Sequence, residues 1–404
     1  MNIQSTDSQY IANTYNRFPV TLTKGQGSLV LDEDGKEYID LASGIAVNSF
    51  GIGDEKWKSA VTAQLDRLTH TSNLYYTEPC AALAQMLCEK TGMKKVFFSN
   101  SGAEANECAI KAARKYAADK KGSEYHKIIT LKNSFHGRTL TTLAATGQEV
   151  FHRDFLPLTP GFLYAEPNDA NDIKRLLDEH LCAAVMLEVV QGEGGVVPLD
   201  ADYLAEVQAI AREKDVLLIC DEVQTGNGRS GMLYGYMNYG LTPDIVTTAK
   251  GLGGGLPIGA TLLGEKVKDT FTPGSHGSTF GGNPVCCAGA LSILSRIDDE
   301  LLASVRRKSD YIRSSLEGAE GVCSVTGLGL MLGIKTEKPA GEVIKEGLSR
   351  GVLVIGAKDK VRLLPALNIP DELLGKAVGI LREVCADKAD DTKETEKSEN
   401  TEDA

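Results

Sequence analysis

A lysine and an aspartate each follow an apolar segment of the kind that forms a buried strand. Residues 216–220 run directly into Asp221, and residues 245–248 run into Ala249 and Lys250, with four glycines among the next five residues. Ligands of α/β proteins bind at the carboxyl ends of the strands, where both charged groups are therefore expected. Burial lowers the pKa of a lysine, as a Schiff-base nucleophile requires. Lys250 is a candidate nucleophile, and a structural pair with Asp221 is the alternative.

A phosphate-binding turn is predicted at residues 99–104, where a short apolar strand meets an alanine-rich helix at 104–120. Ser101 and Glu104 have the spacing of a capping box, and Gly102 leaves the first backbone amides of the helix accessible. A helix N-terminus of this kind binds phosphate well. An ordinary capped helix without a ligand is the alternative.

Aromatic and cationic side chains form a third set of candidates. Phe135, His136 and Arg138 follow a predicted strand at 127–131, and Arg362 lies inside the apolar run VRLLP. Phe135 offers an aromatic face, and Arg138 a guanidinium that binds carboxylates through two hydrogen bonds. A semi-buried arginine such as Arg362 needs an anionic partner, either a protein acid or a substrate carboxylate. Each residue taken singly is more often structural.

Short apolar strands alternate with helices through the middle of the chain, which predicts an α/β fold with a largely parallel sheet. The predicted strands are 95–98, 127–131, 183–187, 216–220 and 245–248, with helices at 104–120 and 203–214. A hairpin is predicted at 29–40, turning at Asp34-Gly35. We expect residues 1–55 to contribute to a small domain, 56–290 to form the large domain, 291–385 to form the C-terminal small domain, and the acidic tail 386–404 to be disordered.

Composition excludes several classes of function. The 404 residues carry a formal charge of −12, which argues against binding to nucleic acid or to anionic membranes. No apolar run approaches the roughly 20 residues that span a bilayer, and the N-terminus lacks the pattern of a signal or transit peptide. The nine cysteines are scattered along the chain without a CxxC pair. We therefore predict that they are reduced core residues and that the chain has no metal site. Together with the N-terminal pattern, this predicts a cytoplasmic protein.

Five motifs together resemble the class III pyridoxal-phosphate-dependent aminotransferases, and most closely the acetylornithine aminotransferases. The motifs are SGAEANE (101–107), SFHGRTL (134–140), DEVQTGNGRSG (221–231), AKGLGGGLPIGA (249–260) and GSTFGGNP (277–284). The resemblance covers residues 13–381. It implies the fold type I of these enzymes, in which a large α/β domain with a mixed, mostly parallel sheet binds pyridoxal 5′-phosphate beside a smaller α+β domain.

The resemblance also assigns roles to residues on the cofactor side. Lys250 would hold the cofactor and carry a proton, Asp221 would pair with the ring nitrogen, and Phe135 would stack on the ring. The full set of implied cofactor-binding residues is Ser101, Gly102, Ala103, Phe135, His136, Asp221, Val223, Gln224, Lys250 and Thr279. Thr279 would reach over from a partner subunit, which implies a homodimer with shared active sites.

On the substrate side, Arg138 and Ser278 would bind the α-carboxylate of N2-acetylornithine. Arg362 would bind that of glutamate or 2-oxoglutarate, and Glu193 would act as a gate acid that pairs with Arg362 while the ω-amino substrate is bound. A plain loop acid is the alternative for Glu193. The implied reaction converts N2-acetylornithine and 2-oxoglutarate to N-acetylglutamate 5-semialdehyde and glutamate, in the pathway of arginine biosynthesis.

Other functions stay open at this point. Siblings within the class act on ornithine, 4-aminobutyrate or succinyl-diaminopimelate, and Gly44 favours the acetylated substrate because relatives that use free ornithine carry a tyrosine there. Relatives also carry a glycine-histidine turn where this chain reads SFGIGD at 49–54. A cofactor-binding protein without turnover is a second hypothesis. A nicotinamide dehydrogenase is a third, against which the absence of a three-glycine fingerprint counts.

Overall fold

A computed structural model describes residues 2–387. The strands are β1 (Leu22–Gln26), β2 (Leu29–Asp32), β3 (Glu37–Asp40), β4 (Lys95–Ser99), β5 (Lys127–Leu131), β6 (Phe162–Ala165), β7 (Cys182–Leu187), β8 (Val190–Gln191), β9 (Val197–Pro198), β10 (Leu217–Asp221), β11 (Ile245–Thr248), β12 (Gly259–Leu263), β13 (Val322–Leu328), β14 (Met331–Thr336), β15 (Val352–Leu353), β16 (Ile355–Ala357) and β17 (Lys360–Leu363). The helices are α1 (Ile3–Tyr10), α2 (Ser43–Ala46), α3 (Glu55–Leu65), α4 (Glu78–Thr91), α5 (Gly102–Lys120), α6 (Leu140–Ala145), α7 (Ala170–Glu179), α8 (Ala201–Glu213), α9 (Pro284–Leu294), α10 (Asp299–Leu316), α11 (Ala340–Ser349) and α12 (Asp371–Ala386).

The main sheet has seven strands in the order β4-β12-β11-β10-β7-β5-β6. Only β12 runs antiparallel to its neighbours, so the sheet is mixed and mostly parallel, which confirms the predicted fold class. All five strands predicted from apolar runs belong to this sheet. The sequence analysis missed β6 and β12, the other two strands of this sheet.

The N-terminal hairpin forms a second sheet together with a strand from the far end of the chain. β2 and β3 pair antiparallel across the predicted turn, and β15 adds in parallel to β3. A third, antiparallel sheet has the order β13-β14-β17-β16. Segments from both ends of the chain therefore pair in one sheet, and the predicted division into a large and a small domain stays a prediction.

Buried apolar residues divide between these units. The largest core surrounds the main sheet, and a separate cluster joins Ile39 and Leu41 to side chains between Val305 and Cys385. Ile293 and Leu302 pack in the large core. We therefore propose that the small unit begins after Leu302, somewhat later than the boundary predicted at residue 291.

Helix α12 extends through Ala386, the first residue of the predicted tail. The remainder of that tail, from residue 388, lies outside the described residues. None of the helices within residues 2–387 combines the length and the apolar character that a membrane crossing requires. Among the cysteines, Cys323 is exposed, so the prediction of core cysteines is wrong at that position.

Candidate active site

A cavity of about 430 Å³ lies at the carboxyl ends of β4, β5, β7, β10 and β11. Because these strands run in one direction, the residues that follow them meet at one edge of the sheet. The predicted site residues that line it are Ser101, Gly102, Ala103, Phe135, His136, Arg138, Asp221, Val223, Gln224 and Lys250. Segments far apart in the sequence therefore converge as predicted.

Lys250 lies two residues after the end of β11 and starts a single 3-10 turn. Its φ is +44°, a left-handed conformation that a non-glycine residue adopts at a cost of order 1–3 kcal/mol. Asn227 fixes the approach to the turn, because its Nδ2 donates to Thr248 Oγ1 (2.9 Å) and to the Ala249 carbonyl (3.1 Å). Burial lowers the pKa of the Lys250 ammonium, while Glu193 and Asp221 raise it and Arg362 lowers it further.

Asp221 ends β10 and is buried. Its Oδ2 accepts a hydrogen bond from Asn106 Nδ2 at 2.8 Å and lies 2.8 Å from His136 Nδ1, and its Oδ1 accepts the backbone N–H of Val223 at 3.0 Å. Asn106, His136 and the backbone of Val223 thus fix the orientation of the carboxylate. His136 Nε2 is buried and has no hydrogen-bond partner among residues 2–387.

The serine half of the predicted capping box is present at the start of α5, whereas Glu104 binds the backbone of the residue before the N-cap Ser101. Ser101 Oγ accepts the backbone N–H of Glu104 at 3.2 Å, and the Glu104 carboxylate accepts the backbone N–H of Asn100 at 2.9 Å. A Cβ added at Gly102 would lie 2.6 Å from Val223 Cγ1, so only glycine fits against the segment that follows Asp221. The exposed amides of this helix N-terminus are suited to a phosphate.

Arg362 on β17 is buried and pairs with Glu193. Its Nη1 donates to Glu193 Oε1 at 2.7 Å and to Gln224 Oε1 at 3.1 Å, and Nη2 lies 3.4 Å from Glu193 Oε2. Neither Arg362 nor Glu193 lines the cavity, but Gln224 does, so it connects the ion pair to the cavity. Burial of the Arg362 charge without its acidic partner would destabilise the folded protein.

Arg138 is exposed and has no acidic partner within the described part of the chain. Its guanidinium instead lies 4.1 Å from the ring centroid of Phe151 and 5.6 Å from that of Phe135. Cation–π contacts of this kind orient the guanidinium without neutralising its charge. Arg138 is therefore available to an anionic ligand.

Glu188 follows β7 at the floor of the cavity. Its two oxygens accept the backbone N–H groups of Phe135 (2.9 Å) and Gly192 (3.2 Å). Burial raises the pKa of the Glu188 carboxyl to about 7, the nearby Asp221 charge adds to the rise, and His136 opposes it. Glu188 thus joins the loop that carries Phe135 to the loop that carries Glu193.

Besides Arg362 and Glu193, two further predicted residues, Ser278 and Thr279, do not line this cavity. Ser278 Oγ accepts the backbone N–H of Gly281 at 2.9 Å, and Thr279 is exposed at the surface. Gly44, which the resemblance linked to substrate choice, has φ +63° and lines a different cavity. In the unusual segment after Asn48, Ser49 Oγ donates to the carbonyl of Gly251, next to Lys250, at 3.0 Å.

Sequence reasoning missed Asn106 as a site residue. Besides Asp221, its Nδ2 donates to the His136 carbonyl at 2.7 Å, and its Oδ1 accepts the Thr247 hydroxyl at 2.6 Å. The side chain therefore ties α5 to the loop of His136 and to β11. Asn106 lies within the SGAEANE motif, and this position could have identified it as a site residue.

Three comparisons relate the chain to known proteins. The family model of class III aminotransferases matches residues 10–385. The chain is 51% identical to the acetylornithine aminotransferase of Haemophilus ducreyi, over 95% of this chain and 98% of the relative. It is 45% identical to the succinylornithine transaminase of Salmonella paratyphi A, over 90% and 91% of the two chains. The crystal structure of the ornithine aminotransferase from Toxoplasma gondii superposes with a TM-score of 0.91 at 32% identity, covering 95% of this chain and 94% of that one.

Proposed function

The chain belongs to the class III aminotransferases, which use pyridoxal phosphate, and on that premise we propose that it transfers the ω-amino group of N2-acetylornithine to 2-oxoglutarate. The products are N-acetylglutamate 5-semialdehyde and glutamate, as arginine biosynthesis requires. The observation that carries the proposal is the presence of two arginines in different states, Arg138 without an acid and Arg362 neutralised by Glu193. An enzyme that alternates between substrates with one and two carboxylates needs this difference.

The residues of the cavity fit pyridoxal phosphate. The amides of residues 101–103 suit its phosphate, buried Asp221 suits a protonated ring nitrogen, and Phe135 offers a face to the ring. His136, buried beneath Asp221 with one ring nitrogen unpaired, belongs to the same polar floor. When bound, the cofactor supplies an aldehyde that takes up an amino group and a ring that accepts electrons.

The chain's own residues then have separate tasks. Lys250, whose pKa burial lowers, holds the cofactor and afterwards moves a proton as general base and acid. Asp221 would keep the ring nitrogen charged, and Val223 and Gln224 line the cavity beside it. Arg138 holds the α-carboxylate of the amine donor, and Arg362 holds a carboxylate of 2-oxoglutarate once Glu193 leaves it.

The choice of donor is tested with a panel of amines and 2-oxoglutarate as acceptor. We expect the highest kcat/KM with N2-acetylornithine, compared with ornithine, 4-aminobutyrate, succinyl-diaminopimelate and N2-succinylornithine, since pocket specificity rests on small differences. A preference for free ornithine would reject the acetylated donor. Absence of turnover with every amine, in protein whose visible cofactor absorbance depends on Lys250, would favour a cofactor-binding protein instead.

We also propose a cytoplasmic homodimer with shared active sites. Phe280 and the run Leu74-Tyr75-Tyr76 are exposed large apolar side chains, and Asn73 Nδ2 connects the two segments by donating to the carbonyls of Ser278 (3.0 Å) and Gly281 (2.8 Å). An apolar surface of this kind is typical of an interface. Thr279 lies in it, so dimerisation would bring Thr279 to the phosphate of the partner's cofactor, with Ser278 beside it. Sedimentation of the wild type and of Phe280→Asp tests this assembly.

A further inference from the structure

The register of the third sheet aligns three residues in one row across its strands. Thr326 on β13 is the partner of Gly333 on β14, and Gly333 is in turn the partner of Arg362 on β17. Register partners in an antiparallel sheet project their side chains to the same face. Gly333 therefore leaves a gap in the row, between the Thr326 hydroxyl and the Arg362 guanidinium.

The loop at residues 192–196 lies across this row and contacts each of its members. Thr326 Oγ1 donates to the Val196 carbonyl at 2.7 Å, and Glu193 pairs with Arg362 at 2.7 Å. Between them, a Cβ added at Gly333 would lie only 2.9 Å from Val196 Cβ. The Val196 side chain thus occupies the gap that the glycine leaves.

Val196 adopts an unfavourable backbone conformation to reach this position. It is completely buried and has φ +51°, in the left-handed region that β-branched residues avoid. The backbone N–H of Val196 donates to the Gly192 carbonyl at 3.2 Å, which closes a tight turn around Glu193. A residue keeps such a strained conformation only where the surrounding structure enforces it, and strained residues are concentrated at functional sites.

We propose that Val196 and Gly333 are positioning residues that set how firmly Glu193 holds Arg362, and thereby set the choice between substrates. Glu193 and Val196 belong to one closed turn, so a displacement of Val196 from the gap moves the Glu193 carboxylate away from Arg362. The released guanidinium then binds a dicarboxylate more readily, and glutamate competes better with the ω-amino donor. This inference rests on the proposed function.

Gly333→Ala tests the inference, because its methyl group would displace Val196. The cofactor-loaded variant is mixed with N2-acetylornithine or with glutamate in the absence of an acceptor, and the ratio of their kcat/KM values is taken from the rates of these half-reactions. We expect the ratio to move toward glutamate by roughly fivefold or more. Gly341→Ala is the matched control in the same small unit, since a Cβ there meets no atom within 4 Å and the ratio should stay at the wild-type value.

A double-mutant cycle separates this effect from general damage. Val196→Gly removes the nearest side chain that the methyl group of Gly333→Ala would meet and leaves the flexible Lys360 side chain, whose Cδ would lie 3.2 Å away. Adding Gly333→Ala to Val196→Gly should therefore change the ratio little. Equal ratios in wild type and Gly333→Ala, or the same shift in both backgrounds, would overturn the inference. Lack of transamination by the wild type and by Gly341→Ala would instead reject the proposed function.

Discussion

The imidazole Nδ1 of His136 lies 2.8 Å from Asp221 Oδ2, and both residues are buried at the floor of the cavity. Asn106 Nδ2 donates to the same oxygen, and the Thr247 hydroxyl donates to Asn106 Oδ1. A chain of hydrogen bonds therefore runs from β11 through α5 to the carboxylate that would face the cofactor ring. Asn106 lines the cavity, whereas Thr247, which orients its amide, does not.

Removing the far end of this chain should weaken catalysis. In Thr247→Val, Asn106 loses the donor that orients its amide, so we expect kcat to fall by about tenfold or less, equivalent to about 1.4 kcal/mol, and the pH dependence of the bound cofactor's visible absorbance to shift. Thr261→Val is the matched control, because the hydroxyl of buried Thr261 on the neighbouring strand donates to the α5 backbone at Ala105 rather than to Asn106. The same loss of kcat in both variants would contradict a role through Asp221.

Neutralising the acid beside Arg362 should change the substrate preference. In Glu193→Gln the guanidinium keeps a neutral partner but loses its counter-ion, so we expect glutamate to gain on N2-acetylornithine by about tenfold in kcat/KM. The measurement follows the half-reaction of the cofactor-loaded protein with each donor in the absence of an acceptor, through the change in the visible absorbance of the cofactor, because glutamate with 2-oxoglutarate as acceptor gives no net reaction. Glu206→Gln, at an exposed position on α8, should leave the preference unchanged. An unchanged preference in Glu193→Gln would identify Glu193 as a plain loop acid.

Hybrid dimers test whether Thr279 acts across the interface. Lys250→Ala and Thr279→Asp subunits, co-expressed with different affinity tags, are isolated as hybrids. If Thr279 serves the partner's site, each hybrid contains one wholly native site and one doubly altered site, and should show about half of the wild-type activity. Each variant alone should be nearly inactive. Hybrids as inactive as both parents would place Thr279 at the site of its own subunit.

Burial of Glu188 should make stability depend on pH. Its pKa is raised from its ordinary value of 4.5 to about 7 in the folded protein, so in this window the folded state keeps a proton that the unfolded chain has lost. The free energy of unfolding should therefore fall as pH rises, by up to about 1.4 kcal/mol per pH unit for this group. Denaturant unfolding of the cofactor-loaded protein between about pH 5 and pH 7 measures this slope.

Glu188→Gln cannot titrate, so its slope should be shallower than that of the wild type. Burial also raises the pKa of Glu222 to about 7, and this group contributes equally to both proteins. Only the difference between the two slopes therefore reports on Glu188. Identical slopes would mean that Glu188 titrates normally in the folded state.

Local sequence predicted five of the seven strands of the main sheet, the capped helix and the loops that follow these strands, because apolar periodicity and capping are properties of neighbouring residues. It also placed Asp221 and Lys250 correctly, since a residue directly after a buried parallel strand must lie at one edge of the sheet. The tail from residue 388 and the roles implied by family resemblance stay predictions.

Only the tertiary structure decided the relationships between distant segments. The Arg362–Glu193 pair joins residues 169 positions apart, and the row of Thr326, Gly333 and Arg362 exists only through strand register. The role of Asn106 follows from its contacts with the loop of His136 and with β11, and the fold leaves Thr279 exposed and outside the cavity of its own subunit. Local sequence patterns determine whether a segment forms a strand, a helix or a turn. Contacts between distant residues depend on how these segments pack, and those contacts orient the charged side chains of the site.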